Sequence, residues 1–306
     1  MQLREKPITS PLNYTGGKYK LLPQIFPLFP DNINTFVDIF CGGCNVGINV
    51  NAQHIICNDN NTKLIGLFNH FKNTNYQLFL NQVNQIIDNF NLSRSSDNGY
   101  ACYGCDSANG LGSYNRTGFL ALRENFNSSS EIDNLYYAKL YVLIVYAFNN
   151  QIRFNVEGNY NLPVGKRDFN KRMSNKLERF ISNIGNIDFS CVNFSDFDID
   201  NFGSNDFVYA DPPYLITCAT YNELNGWNEI QEHTLLQFLD KLHNQKVKFA
   251  LSNVLSSKGN VNTILESWLN LHPNYICHHL NFSYKNSNYH KKEKNDQVDE
   301  VLITNY

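Results

Sequence analysis

The sequence has no long apolar run. Its longest, "LYVLIVYAF" over residues 140–148, falls far short of the ~20 residues that a membrane-spanning helix needs. The opening "MQLREKPITSPLNY" carries no uninterrupted apolar stretch of the kind that marks a secretory signal. Internal repeats are also lacking, and no segment is obviously disordered despite the abundance of Asn. Charge of one sign is missing too, since 25 Lys and Arg stand against 28 Asp and Glu, a formal net charge of -3. That balance neither favours nor excludes a nucleic-acid partner, because the placement of positive charge decides the matter. The expectation is a soluble, cytoplasmic protein without a membrane partner.

What is present suffices for a sizeable core: 306 residues, 42% of them hydrophobic, leave room for one large domain or two smaller ones. The 8 cysteines are scattered over strands and loops, which suits a reducing compartment. Two pairs have C-x-x-C spacing, Cys41/Cys44 in "CGGC" and Cys102/Cys105 in "CYGC", and together they could ligate zinc. The spacing alone is weak evidence, and the first pair lies inside a glycine turn with another use, so no metal is expected.

Apolar patterning outlines an α/β chain. A strand is expected at "TFVDIFC" (35–41), broken by Gly42 and Gly43, with helical sequence from Val46. A second strand, "HIICND", ends at Asn58 and Asp59. Strand, glycine turn, helix, strand and acid make half of a nucleotide-binding unit, the acid standing about twenty residues on, where such folds hold a ribose hydroxyl. Helices are expected over 62–71, 76–90 and 131–149, interrupted by "SRSSDNGYACYGCDSANGLGSYNRTG". Strand character returns at "DFVYAD", "KVKFALSN" and "DEVLITN", with the helix "EIQEHTLLQFLDKLHNQ" between the first two. The simplest arrangement is a core split in sequence, 1–71 and 190–306, around an inserted region over 72–189.

Within "DFVYADPPYLIT" the apolar run stops at Asp211, because Pro212 and Pro213 cannot continue a strand's hydrogen-bond ladder. A carboxylate and the Tyr214 ring therefore leave the sheet together. Alone, "DPP" reads equally as an ordinary Asp-Pro turn, and "NYTGGK" as a loop opening a helix. The basic stretch "GKRDFNKRMSNKLER" reads by itself as a solvated helix face.

Taken in order, "NYTGGK", "DIFCGGCNVG", Asp59 and "DPPY" resemble the Dam-type DNA adenine-N6 methyltransferases, in which cofactor motifs precede the target-recognition region and the catalytic motif comes last. The resemblance covers nearly the whole chain. It implies a Rossmann-like S-adenosylmethionine-dependent core with a mostly helical inserted target-recognition domain carrying a β-hairpin. By matching positions, Tyr14, Lys18, Phe40, Gly42, Asp59 and Asp211 would bind S-adenosyl-L-methionine. The residues also suit the chemistry. An exocyclic base amine is a poor nucleophile, and acceptors on both its hydrogens, the Asp211 carboxylate and the Pro212 carbonyl, would free its lone pair. A base inside a duplex must be flipped out, and Tyr214 would supply a stacking face. One departure stands out: Cys44 occupies the last glycine position of the usual Phe-x-Gly-x-Gly loop, which leaves the backbone path there in question.

In the inserted region, "FNNQIRFN" and "PVGKR" resemble the recognition hairpin of Dam-type enzymes acting at GATC. The resemblance puts Phe148, Asn149, Arg153 and Asn155, with Lys166 and Arg167, at double-stranded DNA, and gives the basic run beyond them a phosphate-binding role. The implied enzyme would guard DNA beside a cognate restriction endonuclease. Cytosine-N4 methylation and a catalytically silent DNA-binding module stay open as alternatives. "FSYKNSNYHKKEKNDQ" (282–297) reads as a basic hairpin that could touch DNA.

Overall fold

A computed structural model describes residues 1–217, 227–281 and 298–306; the basic stretch 282–297 lies outside the described residues. In chain order the elements are α1 (Leu22–Ile25), β1 (Thr35–Asp38), β2 (His54–Asn58), α2 (Thr62–Asn73), α3 (Tyr76–Asn89), α4 (Ser95–Asn98), α5 (Gly112–Asn127), α6 (Tyr136–Tyr146) and α7 (Lys171–Ile181). There follow β3 (Ile187–Ser190), β4 (Phe207–Ala210), α8 (Glu229–Asn244), β5 (Lys248–Ser257), β6 (Asn260–Val261), α9 (Thr263–Leu271), β7 (Ile276–Leu280) and β8 (Val298–Thr304).

The strands form one sheet in the order β3-β2-β1-β4-β5-β8-β7, with β6 paired to the end of β5. Pairing is parallel from β3 through β5, whereas β8 runs antiparallel between β5 and β7. The fold is thus mixed α/β with a largely parallel sheet. β4 is buried at every position, as a central parallel strand covered on both faces must be. On one face α8 and α9 pack Leu235, Leu239 and Trp268 against Val37, Val208 and Phe249. On the other, Leu22, Ile25 and Phe26 meet Phe36, Phe207 and Tyr209. A third apolar cluster gathers α2, α3, α5, α6 and α7 and runs without a break into Cys41, Cys44 and Cys57 beneath the sheet's glycine loop. α6 is apolar nearly all round and buried along its length, as the centre of that helical body must be.

The topology fixes where a ligand can sit. From β1 the chain moves outward to β2 and β3, then returns to β4 on the opposite side of β1. The carboxyl ends of β1 and β4 therefore diverge into a crevice, where open α/β sheets bind their ligands.

The structure corrects several expectations. No helix follows Val46; residues 42–49 form successive turns, because Gly42 (φ 45°) and Cys44 (φ 57°) both take left-handed backbone. The helix expected over 131–149 is only Tyr136–Tyr146, ended by extended backbone at Ala147 (ψ 163°). α5 begins inside the Gly- and Ser-rich stretch, and the edge strands β3 and β7 were not legible. The segment after α6 is held by two isolated antiparallel bridges, Ala147 to Val164 and Phe154 to Tyr160, rather than by a regular hairpin ladder.

Candidate active site

Asp211 is the first residue beyond β4, two residues past Tyr209, which pairs with Asp38 where β4 joins β1. Its Oδ1 receives Lys18 Nζ at 2.8 Å and the Tyr214 hydroxyl at 3.0 Å. Lys18 is 3% exposed, lies 3.7 Å from Glu300 Oε1 and donates to the Gly16 carbonyl at 3.0 Å. A buried ammonium is tolerable only with such partners. Tyr214 also reaches Glu300 Oε1 at 3.2 Å, so its single hydroxyl proton is shared between two acids. Lys18 sits 4.9 Å from the Tyr214 ring centroid. Burial raises the Asp211 carboxyl above its ordinary range, while the Lys18 charge and the bonds from Lys18 and Tyr214 pull it back.

The glycine loop closes the other side of the crevice. A Cβ on Gly42 would come 2.8 Å from the Tyr14 ring, and one on Gly43 2.9 Å from Tyr14 Cβ, so the tyrosine can lie on this loop only because both positions are glycine. Cys44 keeps the left-handed turn that a glycine would make there. That conformation costs about 1–2 kcal/mol for a residue with a side chain, and Cys44 is wholly buried in the core. Asp59 is tied to the loop, Oδ2 accepting from Gly42 N at 3.1 Å and Oδ1 from Asn61 N at 3.0 Å. Burial raises its carboxyl too, against those backbone bonds. Tyr14, Lys18, Gly42, Asp59, Asp211 and Tyr214 are thus brought together, and Phe40 stands beside them with its ring 5.1 Å from Phe194 and 5.6 Å from Trp227.

Two acids at this site escaped the sequence reading. Asp38, the last residue of β1, is buried; its Oδ2 accepts from Gly47 N at 3.3 Å, and its Oδ1 has no partner among the described residues. Burial foremost, then the charge of Asp211, raises its carboxyl well above the usual range. Glu300, in β8, is the second. The available signal was an acid inside an otherwise apolar strand, "TFVD" and "VDEVLIT", where a charge is costly unless something uses it.

The expected DNA residues are arranged along the 147–167 segment. Phe148 is 51% exposed at a sharp turn where Asn149 (φ 55°) and Asn150 (φ 54°) are both left-handed. Lys166 and Arg167 are exposed close by, since Phe148 N bonds to the Pro163 carbonyl at 2.9 Å and Gly165 N to the Tyr146 carbonyl at 2.7 Å. Arg153 is exposed and bonds Asn161 Oδ1 at 2.8 Å. Asn155 instead closes a turn, its Oδ1 accepting from Asn159 N at 2.8 Å. The basic face of α7 presents Lys171, Arg172 and Arg179 outward while Leu177 and Phe180 are buried. The two C-x-x-C pairs do not build a zinc site: Cys41 and Cys44 are buried, Cys102 is exposed, and among the described residues no group of His, Cys, Asp or Glu is placed to hold a metal. Among the same residues no helix is long and apolar enough to cross a membrane.

Comparison with known proteins agrees with this geometry. Residues 14–294 match the family model of the D12 class N6 adenine-specific DNA methyltransferases. The chain is 42% identical over 314 residues to "Modification methylase StsI" of Streptococcus sanguinis, covering 99% of this chain and 43% of that protein. It is 42% identical over 308 residues to "Type II methyltransferase M.FokI" of Planomicrobium okeanokoites, covering 98% of this chain and again 43% of the relative. A "DNA adenine methylase" of Salmonella typhi is 25% identical over 253 residues, 79% of each chain. The chain thus spans under half the length of the first two relatives. It belongs to the D12 class N6 adenine-specific DNA methyltransferase family.

Proposed function

We propose that this protein is a site-specific adenine-N6 methyltransferase of double-stranded DNA, acting in the cytoplasm as the modification enzyme of a restriction–modification pair. The observation that carries the reading is the meeting of the Lys18–Asp211–Tyr214 cluster with the glycine loop at the shared end of β1 and β4. The residues fit S-adenosylmethionine: a donor that carries an ammonium and a sulfonium suits a crevice holding Asp38, Asp59 and Asp211, one of them with a buried oxygen that has no partner among the described residues. Tyr14, Lys18, Phe40, Gly42, Asp59 and Asp211 would hold it, and when bound it supplies a methyl group on electron-poor sulfur.

The rest of the chemistry belongs to the chain. The Asp211 carboxylate and the Pro212 carbonyl accept hydrogen bonds from the two hydrogens of the target amine and free its lone pair for the methyl group. The one proton that the methylated nitrogen then sheds passes by way of Asp211 to water. Tyr214 offers its ring to the flipped base, and the prolines keep the loop stiff. Rate then comes from positioning and fixed charge rather than from a strong base. Lys18 favours the ionised form of Asp211 against the effect of burial.

In this reading residues 1–71 and 190–306 form a Rossmann-like core, to which all of β3 (Ile187–Ser190) belongs through its pairing with β2. The intervening residues from 72 form a mostly helical target-recognition domain whose hairpin spans 147–164. Phe148 enters the base stack, Asn149, Arg153, Asn155, Lys166 and Arg167 contact DNA, and the basic face of α7 binds phosphates without choosing sequence. The target expected from the resemblance is GATC. The relatives named as modification and type II methylases support a cognate endonuclease acting at the same site, without need of contact between the two proteins.

The test is transfer of labelled methyl from S-adenosylmethionine to unmethylated duplex DNA, with the modified base and its flanks mapped. N6-methyladenine within one defined sequence is the expected result. Methylation of cytosine N4, or cofactor binding without transfer to DNA, would overturn the proposal. Methyladenine in a sequence other than GATC would keep the chemistry and remove the target assignment.

A further inference from the structure

We infer that Trp227 is a cofactor-binding residue, its indole locked by Glu232 so that it forms with Phe40 the aromatic wall taking the purine of S-adenosylmethionine. The inference rests on the proposed cofactor. Phe40 leaves β1 two residues before Gly42, whose N–H bonds to Asp59, so the wall begins beside the acid expected at the ribose. Phe194 lies just beyond β3 and Trp227 just before α8. The three rings form one cluster, with centroids 5.1 Å apart for Phe40 and Phe194, 5.6 Å for Phe40 and Trp227, and 5.7 Å for Phe194 and Trp227. Phe194 is buried, whereas Phe40 and Trp227 are only partly so. Both of these partly buried rings stand near the glycine loop, Phe40 two residues before Gly42 and Trp227 against Phe40.

The way the indole is held supports a use. Trp227 Nε1 donates to Glu232 Oε2 at 2.5 Å, and Glu232 is wholly buried. The other oxygen, Oε1, accepts from Asn253 in β5 at 3.1 Å and from Asn262, the cap of α9, at 3.0 Å. A leucine would fill that space without the desolvation cost of a buried carboxyl group. What the network adds is a fixed orientation of the indole relative to β5 and α9. Purines stack on such rings at about 1–3 kcal/mol per aromatic side chain.

The sequence contains 2 tryptophans, and the other, Trp268, projects from α9 against Tyr275 and donates to Asp240. The full chain would be titrated with S-adenosylmethionine, following indole fluorescence and, independently, affinity by equilibrium dialysis. The ligand-dependent fluorescence change is expected to persist in Trp268→Phe and vanish in Trp227→Phe. Trp227→Ala should weaken affinity by about fivefold or more. Glu232→Gln should raise the KM for S-adenosylmethionine while leaving kcat at saturation unchanged, which a merely structural loss would not do. A fluorescence change that survives in Trp227→Phe, or wild-type affinity in Trp227→Ala, overturns the inference. If the alanine variant does not fold, the phenylalanine variant decides it. A wild-type protein that binds no S-adenosylmethionine by dialysis would overturn the cofactor reading and this placement with it.

Discussion

Asn13 donates its side-chain amide to the main-chain carbonyl of Asn149 at 2.7 Å. Together with Gln151, which donates to Thr15 Oγ1 at 3.3 Å, it joins the segment carrying Tyr14 and Lys18 to the turn that presents Phe148. The turn needs an anchor, because Asn149 and Asn150 both occupy left-handed backbone, a conformation that asparagine tolerates better than most residues. The segment proposed to hold the cofactor and the turn proposed to meet DNA are thus tied to each other by side-chain hydrogen bonds.

Asn13→Ala should therefore lower kcat/KM for DNA by about two- to fivefold, the worth of one ordinary hydrogen bond. The dissociation constant for S-adenosylmethionine should not change. Kinetics with DNA varied at saturating cofactor, beside a binding titration, check both halves. An equal loss in cofactor affinity would mean that the bond shapes the Lys18 loop rather than the turn.

Asp38 combines a buried carboxyl raised well above its ordinary range with an oxygen lacking any partner among the described residues. Below the ordinary carboxylate value, folded and unfolded chains both hold the proton, and Asp38 contributes nothing to pH dependence. Above it the unfolded chain ionises first, so the ligand-free protein loses stability until the folded carboxyl ionises as well. Asp38→Asn should raise the neutral-pH melting temperature of the ligand-free protein, with the gain fading below about pH 4. The same change should weaken S-adenosylmethionine by about tenfold or more, the scale of a hydrogen bond to a charged group. Melting curves across pH and calorimetric titration test it, and undiminished affinity would remove Asp38 from the cofactor site.

The parts of this architecture that could be read from sequence were those whose signal is local. β1, β2, β4, β5 and β8 are apolar runs ended by polar or turn residues, and Asp211-Pro212-Pro213 can only terminate a strand. β3 and β7 lie at the sheet edges, and "ICHHL" carries two histidines on a half-solvated surface, so their periodicity is faint. The helix expected after Val46 failed because Cys44 adopts left-handed backbone, which no propensity assigns to cysteine. Asp38, Glu300 and Trp227 were missed for another reason. Their importance depends on partners that only the topology supplies, as Glu300 meets Tyr214 from a strand 86 residues away in the chain.

The Lys18–Asp211 pair makes a pH prediction. Burial raises the Asp211 carboxyl, and the Lys18 charge is the largest effect opposing that rise. If ionised Asp211 accepts the amine hydrogen, kcat/KM should climb with pH through the raised carboxyl range and then level off. Lys18→Met removes the opposing charge, so the rise should move to higher pH and activity should partly return in alkaline buffer. A uniform loss at every pH would instead show that Lys18 serves packing or cofactor contact alone.

Phe148 offers the cleanest separation of folding from function. At 51% exposure its ring adds little to the core, so Phe148→Ala should melt within a degree or two of the parent protein, as surface changes commonly do. If the ring enters the base stack, the variant should still bind duplex DNA through the basic face of α7, a contact largely indifferent to sequence. It should turn over at about a tenth of the parent rate or less, since extruding a paired base costs a few kcal/mol. A duplex with 2-aminopurine at the target adenine reads the step directly: fluorescence should rise with the parent protein and stay low with the variant. A full rise with Phe148→Ala would move the wedge elsewhere on the 147–167 segment. Loss of binding and of flipping together would make Phe148 a docking residue rather than an opener of the stack.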